Sequence, residues 1–161
     1  MKTLIIYYSY DGNTKQIAEI IRKETSADIV EIETVKPYIG DYNSVVDQGK
    51  QEIDSGFMPE IKPISVNFSD YGKIFLGTPV WWYTFAPAVK SFFEKYGAEL
   101  SGKDIFPFVT NGGWIGKTVK NISDACPSAK VGKAINIKFD GNKLSTSEKD
   151  ILKWLKECGK K

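Results

Sequence analysis

Residues 3–14, TLIIYYSYDGNT, carry the strongest indication of fold in this sequence of 161 residues. The run from Thr3 to Tyr8 is apolar without alternation, which predicts a strand that is buried on both faces. The polar segment from Ser9 to Thr14 follows at once and leads into an amphipathic run over residues 13–25. A buried strand, a polar turn and a helix in this order predict the first unit of an α/β fold.

The same alternation of short apolar runs and longer amphipathic runs continues along the chain. We predict strands at residues 3–8, 28–34, 73–77, 105–110 and 134–139, and helices at residues 13–25, 42–53, 85–96, 115–125 and 147–157. This alternation favours an α/β fold of one domain over residues 1–161, a doubly wound five-stranded parallel sheet with helices on both faces. In such a sheet, ligands bind outside the carboxyl ends of the strands.

Composition excludes several classes of function. The chain has 22 Lys and Arg, 20 Asp and Glu, no His and a net charge of +2. A chain without His has no Ser-His-Asp triad, no Cys-His pair and no His-ligated zinc site. A single arginine, Arg22, and the lack of a recurring basic-aromatic motif argue against nucleic acid as a partner. Two cysteines, and no apolar run long enough for a signal peptide or a membrane span, predict a soluble cytoplasmic protein.

The loop after the first strand has the features of an anion site. Amide groups at a helix N-terminus lack partners, and the helix dipole favours negative charge there. Ser9, Asn13 and Thr14 would add side-chain donors, and Gly12 would let the backbone approach closely. The candidate binding residues of this loop are Ser9, Tyr10, Asp11, Gly12, Asn13 and Thr14. An ordinary capped helix start explains the same residues equally well.

The loop after the third strand contains three adjacent aromatic residues. Neighbours in an extended segment point in opposite directions, so core packing alone does not bury all three, and we expect one wall of a slot for a planar ring. The candidate binding residues of this loop are Thr78, Pro79, Val80, Trp81, Trp82 and Tyr83. The alternative is that Trp82 and Phe85 pack on the following helix.

The loop after the fourth strand is rich in glycine. It contains Gly-Lys-Thr at residues 116–118, but Asn111 stands where a P-loop needs glycine, so a nucleoside triphosphate is not favoured. Its glycines would offer closely approaching amides, and its tryptophan would form a second aromatic wall. The candidate binding residues are Thr110, Asn111, Gly112, Gly113 and Trp114. A glycine-rich turn whose tryptophan caps the core is the alternative.

The three loops together predict a site for a planar ring with a phosphate tail, such as flavin mononucleotide (FMN). Over nearly its whole length the chain resembles the flavodoxin family. Residues 9–14 are similar to the family's Ser/Thr-x-x-Gly-Asn-Thr phosphate loop, residues 75–82 to its second flavin loop, and residues 110–116 to its third. The resemblance implies a short-chain flavodoxin-like fold with FMN as cofactor, and with Trp81 and Trp114 covering the two flavin faces.

The resemblance implies a low-potential electron carrier, a monomer that exchanges electrons with redox partner proteins, a donor reductase and an acceptor. Two alternatives stay open. One is an FMN-dependent NAD(P)H:quinone or nitro reductase on the same fold, and the other is a flavin-free domain that docks a protein on its aromatic loop.

Two residues depart from the family's pattern. Asp11 stands where many members carry a hydroxyl, and its carboxylate would repel a phosphate. Trp82 stands where many members carry glycine, and we expect a tryptophan to adopt a positive φ poorly.

Overall fold

Five parallel strands form the centre of the sheet in the computed structural model, which describes residues 1–159. In chain order the strands are β1 (Lys2–Tyr7), β2 (Asp28–Glu31), β3 (Tyr71–Trp81), β4 (Thr84–Phe85), β5 (Asp104–Asn111), β6 (Lys130–Val131), β7 (Ile135–Asp140) and β8 (Lys143–Leu144). The parallel strands lie in the order β2-β1-β3-β5-β7. The predicted doubly wound parallel sheet is confirmed.

Three two-residue strands extend this sheet, and the sequence pattern did not predict them. β4 pairs antiparallel with β3, β8 pairs antiparallel with β7, and β6 pairs in parallel with β5. A strand of two residues has no periodicity from which it could be predicted.

Five α-helices lie within residues 1–159, four of them between strands and the last after β8, and the third and fourth begin two and three residues later than predicted. They are α1 (Asn13–Thr25), α2 (Tyr42–Ser55), α3 (Pro87–Tyr96), α4 (Thr118–Ala125) and α5 (Glu148–Gly159). Within residues 1–159 none of them is long and apolar enough to cross a membrane.

The helices cover the two faces of the sheet in separate apolar layers. Leu4 and Ile6 of β1 belong to the layer that contains residues of α3 and α4, whereas Ile5 belongs to the layer that contains residues of α1 and α5. All three side chains are fully buried. Successive side chains of a strand point to opposite faces, so a strand that is covered on both faces is apolar at every position. This explains why the apolar residues of β1 do not alternate with polar ones.

Two predicted strand ends are wrong. β3 continues to Trp81 instead of stopping at Gly77, because its pairing with β5 extends to Pro79 and its last residues pair with β4. The predicted loop residues Thr78 to Trp81 therefore belong to the strand. β2 ends at Glu31 instead of Thr34, because its partner β1 ends at Tyr7, the residue opposite Glu31.

Close packing between β3 and β5 gives a test of the core. A Cβ atom at Gly77 would lie 2.3 Å from the ring of Phe108, which is fully buried. We expect Gly77→Ala to lower the free energy of unfolding by about 1–3 kcal/mol, measured by urea denaturation. Gly97→Ala is the matched control, since Gly97 has a helical φ of −58° and a Cβ atom added there would have no neighbour within 4 Å. Equal stability of the two variants would contradict this packing.

Candidate functional site

A cavity of about 580 Å³ lies at the carboxyl end of the sheet, and the three predicted loops all contribute to it. This volume is within the range of sites that hold one small molecule or cofactor. The lining residues are Tyr10, Asp11 and Asn13 after β1, Tyr42, Val45, Val46 and Gly49 in α2, Pro79, Val80, Trp81 and Trp82 in and after β3, Asn111 and Gly112 at the end of β5, and Phe139, Gly141 and Asn142 around the β7–β8 turn.

The other predicted site residues lie behind or beside this lining. Thr78 is fully buried, and its hydroxyl accepts a hydrogen bond from the Ala86 N–H at 3.2 Å. Tyr83 and Trp114 form a separate pair of rings outside the cavity, with centroids 4.9 Å apart. The remaining predicted residues outside the lining are Ser9, Gly12, Thr14, Thr110 and Gly113.

The loop after β1 caps its own helix. Ser9 Oγ accepts hydrogen bonds from the N–H groups of Gly12 and Lys15, each at 3.2 Å. Asp11 Oδ1 accepts a hydrogen bond from the Asn13 N–H at 3.1 Å. Among the hydrogen bonds within residues 1–159, none uses the backbone N–H of Thr14 as a donor. That N–H is therefore a first-turn donor still available to an anion.

The side chains of Asn13 and Thr14 join the loop to neighbouring strands. Asn13 Nδ2 donates to the Gly141 carbonyl at 2.9 Å, and Asn13 Oδ1 accepts from Asn142 Nδ2 at 2.9 Å. The hydroxyls of Thr14 and Thr110 are buried and 2.7 Å apart. Both side chains thus position the loop in this structure, and backbone amides are the groups left for a ligand.

One wall of the cavity comes from α2, which the sequence analysis did not include in the site. Val45 and Gly49 are buried, and a Cβ atom at Gly49 would lie 3.0 Å from the indole of Trp81. Asp41 caps the helix by accepting the Ser44 N–H at 2.8 Å. The local sequence predicted the helix, but nothing in it indicates where the helix packs.

The turn between β7 and β8 is the second part of the site that the sequence analysis missed. A signal for it was present, because Asp140-Gly141-Asn142 is a hairpin-turn sequence that follows the fifth predicted strand. Gly141 has a φ of +60°, as such turns require.

Trp81 is half-buried within a cluster of tyrosines. Its ring makes edge contacts with Tyr8, Tyr10 and Tyr38, with centroids 6.0, 5.9 and 5.1 Å away. Edge contacts of this kind stabilise a pair beyond the burial of its area. The indole is therefore held in place from behind where it lines the cavity.

The buried side chain of Glu52 holds Tyr38 of this cluster in place. Tyr38 OH donates to Glu52 Oε1 at 2.6 Å, and Gln48 Nε2 donates to Glu52 Oε2 at 3.2 Å. Burial and the hydrogen bond to Glu52 raise the pKa of the Tyr38 phenol far above its ordinary value, and burial likewise raises the pKa of Tyr8. The Tyr38 phenol therefore stays protonated and keeps its hydrogen bond to Glu52 across the physiological pH range.

Trp82 and Tyr83 are the two central residues of the β3–β4 hairpin. Their φ angles are +50° and +69°, so Trp82 holds a positive φ although a tryptophan adopts one poorly. A two-residue hairpin of this type requires a positive φ at both positions. The strain, on the order of 1–3 kcal/mol for each residue, is balanced by surrounding contacts. Trp82 Nε1 donates to the Val46 carbonyl at 3.0 Å, and the Lys117 N–H donates to the Tyr83 carbonyl at 2.8 Å.

Trp114 lies on an exposed rim next to the hairpin. Its side chain is 68% exposed and contacts Tyr83, so the structure does not bring it to the cavity wall. Gly116 has a φ of +56° and would place a Cβ atom 2.6 Å from the Tyr83 carbonyl oxygen. The hairpin and the loop after β5 therefore touch at a position that only glycine fits.

A protein-family model described as Flavodoxin matches residues 2–158. Among curated protein sequences, none matches this chain significantly.

Solved structures of several flavoproteins are similar to the chain. A protein from Bacteroides eggerthii DSM 20697, described as a flavoprotein, is 28% identical, with 99% of each chain covered and a TM-score of 0.83. A flavoprotein from Lactobacillus acidophilus NCFM, solved in complex with FMN, is 24% identical over 96% of this chain and 98% of its own, with a TM-score of 0.77. An archaeal flavodoxin is 19% identical over 95% and 90%, with a TM-score of 0.57. The last two similarities concern the fold alone.

The buried pair of Tyr38 and Glu52 gives a test of the wall behind Trp81. Tyr38→Phe removes the donor to Glu52 Oε1 and leaves a buried carboxylate oxygen without that partner. We expect a loss of about 1–3 kcal/mol in the free energy of unfolding at pH 7, measured by urea denaturation. Tyr42→Phe is the control for stability, because Tyr42 lies on the helix that carries Glu52 and is 76% exposed. A Tyr38→Phe variant as stable as this control would contradict the assigned role.

Proposed function

The chain belongs to the flavodoxin family, and we propose that it binds FMN in the cavity and carries electrons between a donor reductase and an acceptor protein. The observation that carries the proposal is the cavity itself. The cavity extends from the start of α1, where the loop has backbone amides, to the indole of Trp81 at the end of β3. A phosphate-tailed planar ring needs both features in one space.

Groups that line the cavity or lie beside it match the two halves of this ligand. The Thr14 N–H has no acceptor among residues 1–159, and Ser9 Oγ accepts two N–H groups, so its own hydrogen can be donated. These neutral donors at a helix start suit a phosphate. Trp81 and the aliphatic side chains of Val45 and Pro79 suit a flavin ring. The residues present therefore fit FMN, and the complex of the Lactobacillus relative with FMN supports the same ligand.

FMN, when bound, supplies the redox chemistry, and the protein supplies binding, orientation and exclusion of water. Trp81, held by the tyrosine cluster, is a rigid apolar wall. Asn111 Nδ2 donates to the Val109 carbonyl and Asn111 Oδ1 accepts from the Gly113 N–H, which fixes the backbone of the third loop beside the cavity. Asp11 is the one carboxylate among the lining residues in the described part of the chain. This scarcity of acid and base groups favours electron transfer over group transfer.

The partners and the compartment belong to the same proposal. We take the protein to act as a monomer with redox partner proteins in the cytoplasm. Cys126 and Cys158 are both buried and form no disulfide, which suits a reducing compartment.

A second candidate function is an FMN-dependent NAD(P)H:quinone or nitro reductase. The exposed aromatic rim of Trp82, Tyr83 and Trp114 favours it, because such a rim can stack on a planar substrate. A flavin-free docking domain would use the same rim for a protein partner.

The test is visible absorption of the purified protein after addition of FMN and removal of the excess, followed by stepwise anaerobic reduction. We expect one FMN per chain, reduced in two separate one-electron steps, with slow consumption of NADPH when a quinone is added. Fast NADPH consumption with reduction in a single two-electron step would favour the reductase. Absence of retained FMN would exclude both redox functions.

Asp11 gives a test of the phosphate position. Asp11→Asn keeps the oxygen that accepts from the Asn13 N–H but removes the negative charge. A phosphate within roughly 6 Å of that carboxylate is repelled by on the order of 1 kcal/mol in water-like surroundings, so we expect FMN to bind about fivefold more tightly to the variant, measured by fluorescence titration. Riboflavin, which has no phosphate, is the control ligand, and its affinity should not change. An equal change for both ligands would contradict a phosphate site at this loop.

A further inference from the structure

We infer that Trp82 is a positioning residue that fastens α2 over the cavity and decides which reductants reach the flavin. The inference rests on the proposed binding of FMN. We call the contact between Trp82 and α2 the tether. It allows reaction with partners that give or take single electrons and excludes reductants that must contact the flavin ring.

The indole of Trp82 bridges two walls of the cavity. Its backbone belongs to the hairpin at the end of β3, and its Nε1 donates to the carbonyl of Val46 in α2 at 3.0 Å. Trp82 and Val46 both line the cavity. Lys50, one turn further along α2, places its ammonium 5.7 Å from the centroid of the indole. The side chain therefore bridges the hairpin and the helix, although Trp82 stays 39% exposed.

The hairpin end of this bridge is fixed by the opposite wall. The Tyr83 carbonyl accepts the Lys117 N–H at 2.8 Å, and Gly116 packs directly against the Tyr83 backbone. The positive φ of Trp82 persists within these contacts. Contacts with the loop after β5 thus hold the Trp82–Tyr83 turn in place. The Trp82 indole extends from this turn to α2.

The helix end of the bridge packs through Val45 and Gly49, which are buried, but it has few hydrogen bonds to other elements. Within residues 1–159, the Trp82–Val46 bond is the one hydrogen bond that joins the first half of α2, residues 42–49, to another element. The second half is tied by the bond from Tyr38 to Glu52. Gly40 and Gly56, with φ angles of +117° and +71°, flank the helix. Loss of the indole bond would therefore leave the half of α2 that lines the cavity held by the packing of Val45 and Gly49 without a hydrogen bond to another element, and we expect it to open more often.

The two classes of reductant have different steric needs. A nicotinamide transfers its C4 hydrogen with both electrons as a hydride, so its ring must lie against the flavin ring, and it leaves as the oxidised cation. A single electron crosses without that contact. With FMN in the cavity, an indole tied across the hairpin and α2 at the cavity wall would obstruct a second ring that must lie on the flavin, and it would not obstruct electron transfer from outside the cavity.

The first experiment measures hydrogen exchange in the protein without FMN, so it does not depend on the proposed cofactor. Trp82→Phe removes the Nε1 donor and keeps an aromatic ring at the turn. We expect amides in residues 43–49 to exchange at least about fivefold faster, with amides in α3 unchanged. Lys50→Ala, which removes the ammonium but keeps the hydrogen bond, should have a smaller effect. Unchanged exchange in Trp82→Phe would overturn the tether.

The second experiment measures reduction of bound FMN by stopped flow, with NADPH and with dithionite. In Trp82→Gly, whose turn suits glycine, we expect reduction by NADPH to become at least about tenfold faster and reduction by dithionite, a small one-electron reductant, to change less than about twofold. Equal rates of FMN reduction by NADPH in wild type and Trp82→Gly would overturn the inference that Trp82 decides which reductants reach the flavin. Failure of the wild type to retain FMN would instead reject the proposed function. The hydrogen-exchange experiment would still test the tether, because it is done without FMN.

Discussion

Parallel pairing of β3 between β1 and β5 determines where every other part of the site can lie. β3 pairs with both neighbours along most of its length, and all three strands are buried on both faces. Parallel strands end at one edge, so the segments that follow them meet there. The helices fill the two faces, and the open edge is the place where irregular backbone and polar groups can gather. The cavity that the three loops share forms at that edge for this reason.

Hydrogen bonds between distant parts of the chain then fix the shape of the edge. Asn13 joins the first loop to the β7–β8 turn, and Thr14 joins it to the end of β5 through a buried pair of hydroxyls. A buried hydroxyl or amide is costly without a partner, so each of these contacts holds its loop in one arrangement. The side chains that the sequence pattern assigns to a phosphate are thus used within the protein, and the Thr14 N–H at the start of α1 stays unpaired.

The hairpin after β3 connects this edge to the helix that covers it. Its two aromatic residues adopt positive φ angles that glycine would adopt more easily, and contacts on both sides stabilise them. Strained backbone of this kind persists where surrounding structure determines it, and such places are often functional.

The order of the main strands and helices along the chain and the edge where the loops meet could be predicted from sequence. These properties follow from local periodicity and from turn residues such as Gly12 and Gly112, which act over a few neighbouring positions. Three other features emerged from tertiary packing alone: α2 forms a wall, Trp81 is held by Tyr38 while Trp114 lies outside, and Trp82 takes a positive φ. The reason is that each of these features depends on contacts between residues far apart in the chain, such as Trp82 with Val46, which no local pattern encodes.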